Sequence, residues 1–103
     1  MTGMNTKRKD ILLILNKDKE ELRSYGVKLI GFFGSLAKGS SHSQSDVDVL
    51  VEFNKGEKTF DHFMDLKFFL QRRIGKKVDL VIKETLKPIL RQSILKDVQY
   101  ASL

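Results

Sequence analysis

The sequence has no cysteine and no tryptophan, and it has one proline in 103 residues. Without cysteine, disulfides, thiolate zinc sites and cysteine nucleophiles are excluded. Long hydrophobic runs are absent as well, because the aliphatic run near the N-terminus, Ile11 to Leu15, is far shorter than the roughly 18–20 residues that span a bilayer. No signal-peptide cleavage site follows this run. We therefore expect a cytoplasmic protein with no membrane partner.

Negative charge is the scarcer sign, with 13 Asp and Glu against 19 Lys and Arg and a formal net charge of +6. This balance favours polyanionic partners, namely nucleotides, RNA or an acidic protein surface, and charge alone does not choose among them. Hydrophobic residues make up 41% and charged residues 31%, as in a folded globular protein. A chain of this length is expected to form a single domain, which we place at residues 1–103.

Helices and strands alternate in the pattern of apolar residues. The first helix is predicted to begin at a cap at Asn5 or Thr6 and to end before Gly26, which occupies the C′ position. The polar segment 40–45 is predicted to be a loop. Strands are predicted where β-forming residues cluster or alternate with polar ones, at Val27 to Phe33, Val47 to Phe53 and Val78 to Ile82.

Two further helices are predicted in the second half of the chain. Thr59 caps the first of them and Gly75 ends it, and Thr85 opens the last helix with Pro88 in its first turn. The order helix, strand, loop, strand, helix, strand, helix predicts an α/β (α+β) fold, a small mixed β-sheet flanked by helices. Six apolar residues of the middle helix are interpreted as core: Phe60, Phe63, Met64, Phe68, Leu70 and Ile74.

Three carboxylates interrupt the apolar strands, with Asp46 and Asp48 at the head of the second strand and Asp79 inside the third. Side chains two residues apart on a strand point the same way, so Asp46 and Asp48 share a face with Cα atoms roughly 6.6 Å apart. Clustered carboxylates repel unless a cation or a proton compensates them. Mg²⁺ prefers such oxygen ligands together with substrate phosphates. Asp46 and Asp48 alone would also fit an ordinary solvent-exposed strand face.

A glycine-rich segment follows the first predicted strand, with the sequence GSLAKG at residues 34–39. A glycine after a strand lets the backbone approach an anion, and a serine hydroxyl, the following N–H groups and a lysine then bind phosphate oxygens. The segment is not an ATPase P-loop, because Ser40 and Ser41 follow where Lys and Ser or Thr are required. No G-x-G-x-x-G dinucleotide motif occurs.

GSLAKG at 34–39 is followed, after five residues, by SDVDVLV at 45–51. Together they closely resemble the signature of the minimal nucleotidyltransferases of the DNA polymerase β superfamily, which is G-S-x-A-R-G-x5-S-D-x-D-L-x-V. Asp79 lies where that family carries its third carboxylate, and the resemblance covers nearly the whole chain. Lys38 replaces the usual arginine and Val49 replaces leucine. Lysine keeps the charge but lacks the bidentate fork of arginine, so a weaker hold on the nucleotide or a less well defined geometry is expected.

The resemblance implies a polymerase-β-like nucleotidyltransferase fold that transfers a nucleoside monophosphate, expected to be AMP from ATP, to a hydroxyl group while pyrophosphate leaves. Two Mg²⁺ ions are implied, about 3.5–4 Å apart. Asp46 and Asp48 would bridge both ions, and Asp79 would complete the ion at the nucleophile. The residues implied to bind the nucleotide are Gly34, Ser35, Lys38 and Ser45, with Lys38 neutralising developing charge.

Free-standing members of this size resemble the antitoxin half of a toxin–antitoxin pair whose partner is a HEPN-domain ribonuclease. The implied acceptor is a tyrosine of that toxin, and homo- or hetero-oligomers are compatible with the chain. A second hypothesis is a non-catalytic antitoxin that neutralises its toxin by occlusion. A third is a small RNA-binding α/β domain that uses the positive charge.

Other polar residues are assigned no catalytic role. His42 and His62 lack a partner at metal-ligand spacing, so a transition-metal site is not expected. The densest basic cluster surrounds the end of the middle helix. It is interpreted as a helix end that complements the dipole, with contact to RNA or an acidic partner as the alternative: Arg72, Arg73, Lys76 and Lys77.

Overall fold

A four-stranded mixed β-sheet flanked by helices forms the centre of the protein. The computed structural model describes residues 8–34 and 46–101. The strands are β1 (Val27–Phe33), β2 (Val47–Phe53), β3 (Val78–Ile82) and β4 (Gln99–Tyr100). The helices are α1 (Arg8–Lys17), α2 (Lys19–Ser24), α3 (Phe60–Ile74) and α4 (Pro88–Asp97), with a 3₁₀ turn at Lys83–Thr85.

The strand order across the sheet is β3-β2-β1-β4. Strand β1 pairs antiparallel with β2 and with β4, whereas β2 and β3 run parallel. The predicted fold class, a small mixed sheet flanked by helices, is therefore confirmed, and the three predicted strands have the predicted bounds. Strand β4 was not predicted, because its two residues are too few to show a period.

The core lies between the sheet and helices α1, α2 and α3. Every second residue of β2 points into it, and the intervening Asp48 and Glu52 point to the opposite face. The same alternation in β3 buries Val78 and Leu80 and leaves Asp79 exposed. Fully buried side chains of the helices include Ile11 and Leu15 from α1, Leu22 from α2, and Leu66 and Leu70 from α3.

The predicted first helix is divided at Asp18. Asp18 leaves helical geometry, with φ −100° and ψ 24°, although its N–H still donates to Ile14 O at 3.0 Å. Its carboxylate accepts a hydrogen bond from Arg73 Nε of α3 at 2.6 Å, so this tertiary ion pair lies at the division. Gly26 follows with φ 79°, as predicted for a residue that ends a helix. The predicted caps Asn5 and Thr6 lie outside the described residues.

Both predicted ends of α3 are confirmed. The Thr59 hydroxyl accepts a hydrogen bond from His62 N at 3.1 Å, and Gly75 closes the helix in the left-handed conformation. The interpretation of its apolar residues is wrong in part, because Phe60 is 76% and Phe68 50% exposed. At 100° per residue the buried face follows Leu66, Phe69, Leu70 and Ile74, which places Phe60 and Phe68 on other sides.

The last helix begins later than predicted. Residues Lys83–Thr85 form a 3₁₀ turn, in which the Thr85 hydroxyl donates to Ile82 O at 2.8 Å instead of capping a helix. Lys87 is extended, as expected before a proline, and α4 begins at Pro88. None of the described helices is long and apolar enough to cross a bilayer.

Candidate active site

Two of the three predicted site carboxylates lie side by side on the sheet. Asp48 of β2 and Asp79 of β3 are register partners in the parallel pair, which places their Cα atoms about 4.8 Å apart. Both side chains point away from the core, because their strand neighbours are buried against the helices. Asp46 directly precedes β2 and is exposed. The structure therefore brings the three predicted carboxylates to one end of two neighbouring strands.

Gly34 brings the backbone of the preceding strand against Asp48. It follows β1, whose last residue, Phe33, is the register partner of Asp48. Its φ of +75° is one that side-chain-bearing residues rarely adopt, and a Cβ added there would overlap the Asp48 carboxylate. Only glycine lets the chain turn so closely past this carboxylate. The first glycine of the GSLAKG segment is thus placed directly beside the acidic pair.

The electrostatics of this cluster favour a bound cation. Burial, followed by repulsion from Asp79 and then from Asp46, raises the pKa of the Asp48 carboxyl above its ordinary value. Glu52 shows a contrasting case on the same face of β2, because Lys28 Nζ and Lys83 Nζ each lie 3.7 Å from its carboxylate. Within residues 8–34 and 46–101, no basic side chain forms such a pair with Asp48. A bound cation would balance the negative charge of the Asp48 carboxylate.

The chemistry of the donors fits a hard divalent ion. All three candidate ligands are carboxylates, and such ions bind oxygen ligands together with water and substrate phosphates. Among the described residues, no group of three or more His, Asp or Glu side chains is gathered closely enough to form a metal cage by itself. A site of two or three carboxylates completed by substrate oxygens is the arrangement that these residues fit.

Three of the predicted nucleotide-binding residues lie outside the described residues: Ser35, Lys38 and Ser45. Of the predicted nucleotide-binding residues, only Gly34 is described. Their roles remain expectations from the sequence motif.

Two polar residues outside the predicted site have structural roles. The His62 ring Nδ1 lies 2.7 Å from Glu57 O, which ties the start of α3 to the preceding turn. Arg73, from the basic cluster at the end of α3, pairs with Asp18. Sequence reasoning missed Gln71, whose side-chain oxygen accepts a hydrogen bond from Val78 N of β3 at 3.1 Å. No local pattern signals that contact, because it joins a helix to the outer edge of the sheet.

A glycine turn beside paired carboxylates, at one end of a small mixed sheet, suits an enzyme that handles nucleotide phosphates. Comparison with known proteins agrees: the chain belongs to the nucleotidyltransferase domain family, whose model matches residues 10–101. The chain is thus a nucleotidyltransferase, and the resemblance to the minimal nucleotidyltransferases and the assignment as an enzyme are confirmed.

Similar proteins cover most of the chain. A protein adenylyltransferase, MntA, of Thermococcus cleftensis is 39% identical over 92 residues, which are 88% of this chain and 92% of the relative. A solved minimal nucleotidyltransferase is 31% identical with a TM-score of 0.72, covering 94% of this chain and 98% of that one. A solved toxin–antitoxin complex with AMP-PNP contains a chain that is 26% identical, with a TM-score of 0.67, covering 82% of this chain and 69% of that one.

Proposed function

We propose that this nucleotidyltransferase is a Mg²⁺-dependent adenylyltransferase that transfers AMP from ATP to a tyrosine hydroxyl of a HEPN-domain ribonuclease and thereby acts as its antitoxin. The observation that carries the proposal is the Asp48–Asp79 pair, which has Gly34 beside it. No basic side chain among the described residues forms an ion pair with Asp48. The names of the relatives support the choice of AMP and of a protein acceptor. The 26% identical chain solved with AMP-PNP supports the toxin partner and the nucleotide.

In the proposed reaction, the nucleotide binds at the Gly34 side of the site and the acceptor hydroxyl at the Asp79 side. Gly34 lies directly beside Asp48, and its backbone, together with the predicted nucleotide-binding residues of the motif that follows, holds the triphosphate. Asp46 and Asp48 hold the metal ions, and Asp79 completes the ligand set at the outer strand. Bound Mg²⁺ supplies Lewis-acid stabilisation of the phosphate charge and lowers the pKa of a bound hydroxyl.

The transfer balances without any further reactant. The acceptor oxygen forms a bond to the α-phosphorus of ATP, while the bond from that phosphorus to the oxygen bridging to the β-phosphate breaks and pyrophosphate leaves. Asp79, exposed on β3, orients the acceptor hydroxyl and takes up its proton. Lys38 balances charge on the leaving phosphates.

Label transfer tests the proposal directly. The chain is incubated with Mg²⁺, ATP labelled at the α-phosphate, and a HEPN-domain ribonuclease that it inhibits. We expect label on a tyrosine of the ribonuclease with the wild type, and a loss of at least about a hundredfold with the Asp46→Ala/Asp48→Ala double variant.

Glu52→Ala is the matched control, because Glu52 is a carboxylate on the same face of the same strand with lysine partners of its own. It should retain transfer. Equal transfer by the double variant would overturn the assigned metal ligands. No transfer by the wild type to a ribonuclease that it still inhibits would favour neutralisation by occlusion.

A further inference from the structure

The strand that carries Asp79 is also an edge of the sheet. β3 pairs with β2 on one side only, and no described residue pairs in a ladder with its outer side. Lys77 O accepts from Val47 N at 3.0 Å, so in this parallel ladder residues 77, 79 and 81 bond to β2 and residues 78, 80 and 82 direct their backbone groups outward. The Leu80 N–H and C=O therefore face outward, one residue beyond Asp79.

One flank of α3 borders this edge. Gln71 of α3 reaches the first outward N–H, that of Val78, with its side-chain oxygen. The opposite flank of α3 faces α1 and α2, where Arg73 pairs with Asp18 and the Phe69 ring lies 5.7 Å from that of Tyr25. Because residues 69 and 73 are each two positions from residue 71, they lie about 200° around the helix from Gln71. The Gln71 side of α3 thus points toward β3 and solvent.

The flank of α3 beside β3 is unusually apolar for an exposed surface. Residues three, four, seven and eleven positions before Gln71 lie on its side of the helix. They are Phe68, Lys67, Met64 and Phe60. Phe60 is 76% and Phe68 50% exposed, whereas Met64 is half-buried. We call these four residues and Gln71 the α3 flank. It supplies an apolar surface next to unused backbone hydrogen-bonding groups.

Two basic side chains near the α3 flank favour a ligand that carries negative charge. Lys67 lies within the α3 flank, and Lys77 immediately precedes β3. No carboxylate among the described residues forms an ion pair with either of them. Away from Asp79, acidic residues of a ligand beside β3 would therefore meet positive charge that no described carboxylate pairs with.

We propose that the protein acceptor presents the hydroxyl to be modified on an extended, acidic segment, which adds as a further strand to the outer edge of β3 and packs against the α3 flank. The inference rests on the proposed transfer to a protein hydroxyl and names how that acceptor is recognised. Main-chain hydrogen bonds to Leu80 provide affinity, and alternate side chains provide specificity, as in other cases of strand addition.

The pleat of the sheet dictates the pattern of the segment. A residue of the added strand that lies beside Asp79 points to the same face as Asp79, where the carboxylates are. Its two chain neighbours point to the other face, toward the α3 flank. The acceptor segment therefore carries a hydroxyl residue between two apolar residues, with acidic residues further out toward Lys67 and Lys77.

A synthetic peptide of about seven residues serves as the probe, with a tyrosine between two valines and a glutamate at each end. Amide hydrogen exchange of the full chain is measured by NMR with and without this peptide. We expect exchange of the Leu80 amide to slow by at least about tenfold on saturation, because that N–H gains a main-chain partner. The same peptide with N-methyl groups on the backbone nitrogens that face β3 should give no protection.

Variants of the α3 flank test the second part of the inference, which is that the added segment packs against this flank. Phe60→Ser/Phe68→Ser should weaken peptide binding by roughly five- to tenfold and leave ATP binding unchanged, since both side chains are exposed and do not support the core. Leu13→Ser, a change at a 64% exposed residue of α1, is the matched control and should bind like the wild type.

The outcomes separate this inference from the proposed function. Transfer of AMP to an acceptor without protection of Leu80, or equal protection by the N-methylated peptide, would overturn strand addition and leave the enzyme assignment standing. Protection of Leu80 in both the wild type and the Asp46→Ala/Asp48→Ala variant, with no AMP transfer by either, would uphold strand addition and contradict the transfer reaction.

Discussion

In the proposed function, the stability and the activity of this protein oppose each other at Asp48. Its carboxylate is half-buried, and Asp79 and Asp46 add repulsion to the cost of that burial. The pairing of Asp46 with Asp48 is readable from their spacing on a strand. The register that puts Asp48 opposite Asp79 cannot be read from the sequence. It depends on the pairing of β2 with β3, whose residues are about thirty positions apart.

Asp48→Asn is predicted to raise the Tm of the metal-free chain at neutral pH and to reduce AMP transfer by at least about a hundredfold. The raised pKa of Asp48 means that the folded chain holds this proton more tightly than the unfolded chain. Wild-type stability therefore falls as pH rises from the ordinary aspartate pKa through the raised one, and asparagine removes that loss.

The difference in Tm between Asp48→Asn and the wild type should shrink in acid, where Asp48 is protonated in both the folded and the unfolded chain. It should also shrink on addition of Mg²⁺, because in the proposed function the ion stabilises the wild-type site more than the variant site. Thermal unfolding over a pH series, with and without Mg²⁺, measures both effects. A difference in Tm that is unchanged in acid would contradict this account of Asp48.

Gly34→Ala is predicted to destabilise the fold by about 2–4 kcal/mol and to impair transfer. This loss of stability has two causes, which are the positive φ and the overlap of the new Cβ with the Asp48 carboxylate. Gly56→Ala separates them, because Gly56 has φ +81° and no atom within 4 Å of an added Cβ. Denaturant unfolding should show a loss of about 1–2 kcal/mol for Gly56→Ala, which has only the cost of the positive φ. Equal costs for the two variants would exclude the contact with Asp48.

Among the elements, the three long strands and both ends of α3 were predictable, whereas helix faces and the start of α4 were not. The three long strands combine β-forming residues with a clear period, and Thr59 and Gly75 have local capping chemistry. The exposure of Phe60 and Phe68 depends instead on which flank of α3 meets α1 and α2. The last helix begins at Pro88 and not at Thr85, because Pro88 favours an extended residue just before itself.

Thr59→Ala is predicted to lower the free energy of unfolding by about 1 kcal/mol, since the hydroxyl that accepts from His62 N is lost. Thr59→Ser keeps an acceptor at the same place and should retain most of the stability. Urea unfolding of the three proteins makes the comparison. A serine variant as unstable as the alanine variant would show that the cap hydrogen bond is not the source of the effect.

In the molecule as a whole, the strand order fixes the order of the site residues across the sheet. The glycine turn after β1, Asp48 on β2 and Asp79 on β3 follow one another toward the free edge, while helices α1, α2 and α3 occupy the opposite face. In the proposed function this order places the nucleotide on the β1 side and the protein acceptor on the β3 side. The family and the carboxylates were identifiable from sequence, whereas the edge beside α3 emerges only from the assembled sheet.

Catalytic turnover distinguishes an enzymatic antitoxin from one that only binds its toxin, and the stoichiometry of inhibition measures it. A HEPN-domain ribonuclease partner is mixed with ATP, Mg²⁺ and roughly one chain per fifty ribonuclease molecules, and its ribonuclease activity is followed over time. We predict progressive loss of all the activity, with AMP on a tyrosine and no recovery after the chain is removed. Inhibition that requires one chain per ribonuclease and is reversed on removal would contradict an enzymatic antitoxin and would establish occlusion instead.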